Sequence, residues 1–159
     1  MRKQSKYRPK GVRVDAVNWV LSGLKPVVAH TEVLNLRTKN HSAMASMLAG
    51  TGTRDDVDIL IAAMNMTEAL SLTRGELGID WKQEINAAQN ALFTMAQRGL
   101  IKNRFLFTGP EMQALKLAME IHDAQIEQST IQDFEKALAL VNQTILSNKA
   151  RRIVSLEPA

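Results

Sequence analysis

Residues 108–145 read TGPEMQALKLAMEIHDAQIEQSTIQDFEKALALVNQTI. Met112, Leu115, Met119, His122 and Ile126 recur there at spacings of three and four, and so do Ile131, Phe134, Leu138, Val141 and Ile145. Such spacings return side chains to one side of a helix, so each series is one stripe facing a core. The stretch also carries its own punctuation. Thr108 with Glu111, and Ser129 with Gln132, read as capping boxes, in which the two side chains satisfy free amides at a helix start. Two long helices with so short a connection must fold back against each other. The stretch therefore predicts an antiparallel, all-α bundle.

Working outward, Trp81, Ile85, Ala88, Leu92 and Met95 form a third stripe, started by Asp80 with Gln83. The segment Val57–Leu72 is apolar on more than one face (Val57, Ile59, Leu60, Ile61, Met64, Met66) and is expected to be the most buried helix. Thr53 with Asp56 marks its start, and Gly50, Gly75 and Gly78 suit helix ends. The four helices are expected near 54–73, 80–99, 110–128 and 130–147, with Leu92, Met119 and Leu138 in the core. His41–Ala49 reads as a shorter helix with Met44, Met47 and Leu48 inward, and Val14–Ser22 as another that ends at Gly23 and Pro26. Val27–Lys39 is open between a short helix and an irregular strap. Nothing alternates with period two for long enough to make a sheet.

At 159 residues, 45% hydrophobic and 23% charged, the chain has the size and composition of one globular domain. There is no cysteine, which excludes disulfides, thiolate zinc sites and cysteine nucleophiles. Asp15 and Asn18 interrupt the run from Val14 to Leu21, so the N-terminus does not read as a signal peptide. No stretch approaches the ~20 apolar residues of a membrane helix. A cytoplasmic protein with no membrane contact is the expectation.

Charge is segregated. Residues 1–13 hold Arg2, Lys3, Lys6, Arg8, Lys10 and Arg13 and no acid, while Lys149, Arg151 and Arg152 lie near the other end. Between them, residues 14–148 carry eleven Lys and Arg against fifteen acids, a net of −4 in a chain of net +4. The organisation read from this is a basic arm (1–13), a helical bundle (14–148) and a tail (149–159). Such an arm, in which Pro9 and Gly11 discourage a helix, can track a phosphate backbone or serve only as a solubilising tail. Arg98, Lys102 and Arg104, around one connection, are candidates for a secondary cationic patch. Tyr7 is the one aromatic of the arm, which argues against a base-stacking platform.

Other constellations have simpler readings. Gly50-Thr-Gly-Thr53 feeds a helix start but lacks the Gly-Lys-Ser/Thr ending of a phosphate-binding loop, and Asp55, Asp56 and Asp58 would repel an anion. The same acids oppose reading residues 41–58 as a DNA-binding helix-turn-helix. His30, His41 and His122 are the only histidines. Glu120 and His122 lack the Glu-x-x-His spacing of a bundle di-iron site, so His122, inside an apolar stripe, reads as a satisfied core histidine. Glu120, Asp123 and Glu127 read as a solvated acidic face. Neither a nucleophile elbow nor a cofactor motif is present, so no catalytic residue, metal or cofactor is expected.

Lys6-Tyr-Arg-Pro-Lys-Gly-Val-Arg13, Asn18-Trp-Val-Leu-Ser-Gly-Leu-Lys25, Lys39-Asn-His-Ser-Ala-Met44 and Asp56-Val-Asp-Ile-Leu-Ile-Ala62 resemble stretches of small uncharacterised helical proteins encoded in bacteriophages and prophages of proteobacteria. The resemblance covers roughly the first half of the chain. It implies a phage context, with nucleic-acid handling or inhibition of a host protein, and no site residues.

The expectation is a non-enzymatic accessory protein that binds nucleic acid through Arg2, Lys3, Lys6, Arg8, Lys10 and Arg13, aided by Arg98, Lys102 and Arg104. The alternative is a protein-binding module that inhibits or redirects a host protein machine through an apolar helix face. The stripes at 112–126 and 131–145 can also leave an apolar strip uncovered, which favours a homodimer unless residues 14–21 fold over it.

Overall fold

Thr53 and Thr108 each accept from the amide three residues on, while Asp56 and Glu111 reach back to the Thr53 and Thr108 amides at 2.8 Å. Both capping boxes therefore form where the sequence predicts them. In the computed structural model, which describes residues 31–74 and 79–150, five helices follow: α1 (Thr31–Leu48), α2 (Arg54–Thr73), α3 (Lys82–Lys102), α4 (Gly109–Gln128) and α5 (Ile131–Leu146). The fold is all-α, and no strand occurs among the described residues. The arm, the helix expected at 14–22, Gly75, Gly78 and residues 151–159 lie outside the described residues.

Two helix starts differ from expectation. The box before α5 is Thr130 with Asp133, one residue later than Ser129 with Gln132. Ser129 instead turns inward and donates to the Gln125 carbonyl at 2.7 Å, which closes the end of α4. Asp80 does not cap α3: a 3-10 turn, Ile79–Trp81, leads into it, and Trp81, without a capping hydrogen bond, stays half exposed. The ambiguous Val27–Lys39 is helix from Thr31 onward. Its stripe is Val33, Arg37, Asn40, Met44 and Met47, and the polar residues at 37 and 40 hide the periodicity.

Helix α2 touches all four other helices, as its many-sided apolar surface predicts. Leu60, Met64 and Leu70 are fully buried along it. The main core joins Met44 and Met47 of α1, Leu60 and Met64 of α2, Leu92 and Met95 of α3, and Leu115 and Met119 of α4. Ala63, Ala88, Ala96 and Ala118, all buried, let the helix axes approach closely. Helix α5 lies on α2 through the fully buried Ala137, against Met66, Ala69 and Leu70, with Phe134, Leu140 and Val141 half-buried around it. Asp133 meets Arg74 at 3.0 Å, so α5 starts where α2 ends and runs antiparallel to it.

Leu92 and Met119 are buried as expected, at 1% and 4% exposure, but Leu138 is 45% exposed. The contact face of α5 is centred on Ala137 rather than on the Leu138 stripe, because the smaller side chain permits the closer approach to α2. Leu138 and Ile145 are left on the flank.

Candidate functional site

The α3–α4 connection is where the sequence places its secondary cations, and the structure divides them. Helix α3 ends at Asn103, which adopts the left-handed conformation (φ 51°) between Lys102 and Arg104, both exposed. Arg98 turns inward. Its Nη1 and Nη2 donate to the two Glu111 oxygens at 3.1 and 2.7 Å, and Nη2 also donates to the Leu106 carbonyl at 2.8 Å. The guanidinium holds the Glu111 carboxyl below its ordinary range, aided by the Thr108 amide. Arg98 is thus committed to clamping α3 to the cap of α4, which leaves Lys102 and Arg104 as the accessible pair. Phe105 packs on Gly99, where a methyl group would run into its ring.

A second constellation lies within the bundle. His122 of α4 is completely buried. Its Nδ1 is 2.9 Å from the Thr67 hydroxyl of α2, and its Nε2 is 3.3 Å from the Asn40 amide nitrogen of α1. The Thr67 hydroxyl gives its one proton to the Ala63 carbonyl at 2.8 Å, so it accepts from histidine. Nδ1 therefore carries the hydrogen, and Nε2 accepts from Asn40. Burial pushes the His122 pKa down to about 4; His41 and Arg37 act in the same direction and Asp123 opposes them. One turn further on, Gln125 Nε2 donates to Ser71 Oγ at 2.9 Å and to the Thr67 carbonyl at 3.2 Å.

Over this network lies an ion-pair cluster. Arg37 donates to Asp123 at 3.1 Å and to Glu127 at 2.9 Å, and His41 Nε2 is 2.8 Å from the other Asp123 oxygen. The acidic face read on α4 is therefore partly covered by α1: Asp123 and Glu127 are paired, while Glu120 remains exposed. Sequence reasoning placed His122 in the core but missed Asn40, Thr67 and Gln125. The available signal was Thr67 and Ser71, two hydroxyls four residues apart on the helix expected to be the most buried.

His122 has the chemistry of a structural residue, neutral and enclosed by three helices. It lines neither of two surface grooves, one of about 390 Å³ between α2, α3 and α5 and one of about 270 Å³ beside Trp81 and Leu117. Among the described residues, no three His, Asp or Glu side chains converge as a metal site, and no helix is long and apolar enough to cross a membrane. No family model, curated protein or solved structure matches the chain.

Proposed function

We propose that this protein is a non-enzymatic accessory protein that binds the phosphate backbone of nucleic acid through its N-terminal arm. The observation that carries the reading is the segregation of charge: six cations without an acid in residues 1–13, ahead of a bundle with more acids than bases. Binding to a polyanion is driven by cations that release condensed counterions, and an arm can follow the backbone without the shape of a reading head. Exposed Lys102 and Arg104 supply a secondary contact, and Arg98 drops out because Glu111 holds it. The phage or prophage context implied by the resemblance agrees with this role.

Binding of unrelated duplex and single-stranded oligonucleotides, titrated with salt, tests the reading. Neutralising all six arm cations with glutamine is expected to abolish binding without changing the helical signal. Each phosphate contact contributes about 0.9 to the slope of log affinity against log salt for duplex DNA. Absence of nucleic-acid affinity at low salt, or affinity indifferent to the arm, overturns it. The second reading, a module that inhibits or redirects a host protein machine, is favoured by the exposed Leu138, Ile145 and Leu146 of α5, and binding of that kind would persist as salt rises.

A further inference from the structure

Helix α5 ends in a turn that takes the chain off the helix axis. The Asn148 amide donates to the Ile145 carbonyl at 3.1 Å and the Lys149 amide to the Thr144 carbonyl at 3.2 Å, and Asn148 itself is left-handed (φ 54°). This pair of bonds around a left-handed residue is a Schellman closure, which stops the helix and turns the chain. Lys149 and Ala150 thereby become part of the wall of the groove of about 390 Å³ between α2, α3 and α5. Leu72 and Ile145, 68% and 53% exposed, stand in that groove with Phe93. Beside them lies Glu68, whose carboxylate accepts from the Gln89 amide at 2.9 Å.

We propose that residues 151–159, Arg-Arg-Ile-Val-Ser-Leu-Glu-Pro-Ala, continue along this groove and cover its apolar wall. The place where the described chain leaves off selects this occupant. Its last two residues already line the groove, so the next ones enter it without a linker. The N-terminal segment joins the bundle elsewhere, since Val33 packs on Ile126 beside the first turn of α5. Because α5 runs antiparallel to α2, the tail enters nearer Ile61 and runs towards Glu68 and Leu72. From Ile61 to Leu72 the groove follows α2 for ~16 Å at the helical rise. An extended chain advances ~3.3 Å per residue, so about five residues reach Leu72. The composition of the tail matches the groove. Arg151 and Arg152 come within side-chain reach of Glu68, and Ile153, Val154 and Leu156 supply apolar surface for Ile145, Phe93 and Leu72. The inference does not depend on what the arm binds.

Because the chain has no cysteine, a Leu72→Cys/Leu156→Cys variant of the full chain reports on the contact. Leu72 is exposed, so its replacement leaves the core intact. Mild oxidation should close this pair within one chain, at a rate independent of protein concentration. Closure should be several-fold faster than in a Lys116→Cys/Leu156→Cys control, whose partner position is exposed on α4. A tether alone raises the local concentration of the two sulfurs, so the tail sequence is tested within the same variant. Ile153→Glu with Val154→Glu should slow closure to the control rate. Glu68→Lys should slow it several-fold, and Arg151→Glu with Arg152→Glu added to that change should restore it. Closure no faster than the control, or closure indifferent to the changes at 153 and 154, overturns the proposal. So does a disulfide formed only between chains, which would make a second copy the occupant.

Discussion

At the scale of single residues, His122 couples stability to pH. Its folded pKa of about 4 lies below the ordinary value near 6.5, so the unfolded chain takes up the proton first as pH falls. The stability held by the neutral, buried ring is complete above about pH 6.5 and is lost progressively down to about pH 4, after which this residue adds no further slope. The difference corresponds to about 3 kcal/mol. Urea unfolding at pH 7, 5.5 and 4.5 should show this loss, and His122→Gln should flatten the curve across that window; equal slopes in both proteins would remove the assignment. Gly99 makes the second prediction. Alanine raises helix propensity by up to ~1 kcal/mol, but its methyl group collides with Phe105, and overpacking costs about 1–3 kcal/mol. Gly99→Ala should therefore destabilise, and Phe105→Ala in the same chain should relieve part of the cost. A Gly99→Ala protein more stable than the parent would show that Phe105 moves freely.

Between elements, the α3–α4 connection separates structural from binding charge. Thr108→Ala removes one side of the α4 capping box and should cost about 1 kcal/mol. Arg98→Ala should cost about as much or less, because the pair with Glu111 is partly exposed and screened. Its effect should shrink when Glu111 is already Gln, since the charge pair is then gone and the bond to the Leu106 carbonyl remains. Changing Lys102 and Arg104 together should leave stability alone and lower nucleic-acid affinity by less than loss of the arm does. If Arg98→Ala instead weakened binding while the melting temperature held, the clamp would be misassigned and Arg98 would return to the interface.

For the whole molecule, the layout around α2 ranks the core positions. Leu92→Ala and Met119→Ala open cavities where several helices meet and should each cost about 2–5 kcal/mol. Leu138→Ala, on the exposed flank of α5, should cost well under 1 kcal/mol. Denaturant midpoints measured at low protein concentration test the ranking, and a Leu138→Ala loss as large as that of Leu92→Ala would reverse the placement of α5. Charge belongs to the same scale: the bundle is the acidic part of a cationic chain, so affinity for polyanions should follow the arm rather than the fold.

Helices α2 to α5 were legible in the sequence, and α1 only in its second half. Capping boxes at Thr53 and Thr108 and the glycine stop at Gly50 (φ 74°) rest on contacts within a few residues of chain, and the stripes along α3 and α4 show in spacing alone, so local sequence can specify them. The run of like charge at 1–13 is a local property of the sequence, and its assignment as the candidate site rests on sequence. What only the tertiary structure decided was the environment of residues whose type and place disagree. Asn40, Thr67 and Gln125 are buried because His122 and Ser71 answer their polar groups from other helices. Arg98 faces inward because Glu111 waits across the turn. Leu138 faces outward because Ala137 permits the closer approach to α2. Burial is a property of what packs opposite, and residues tens of positions away in the chain supply it.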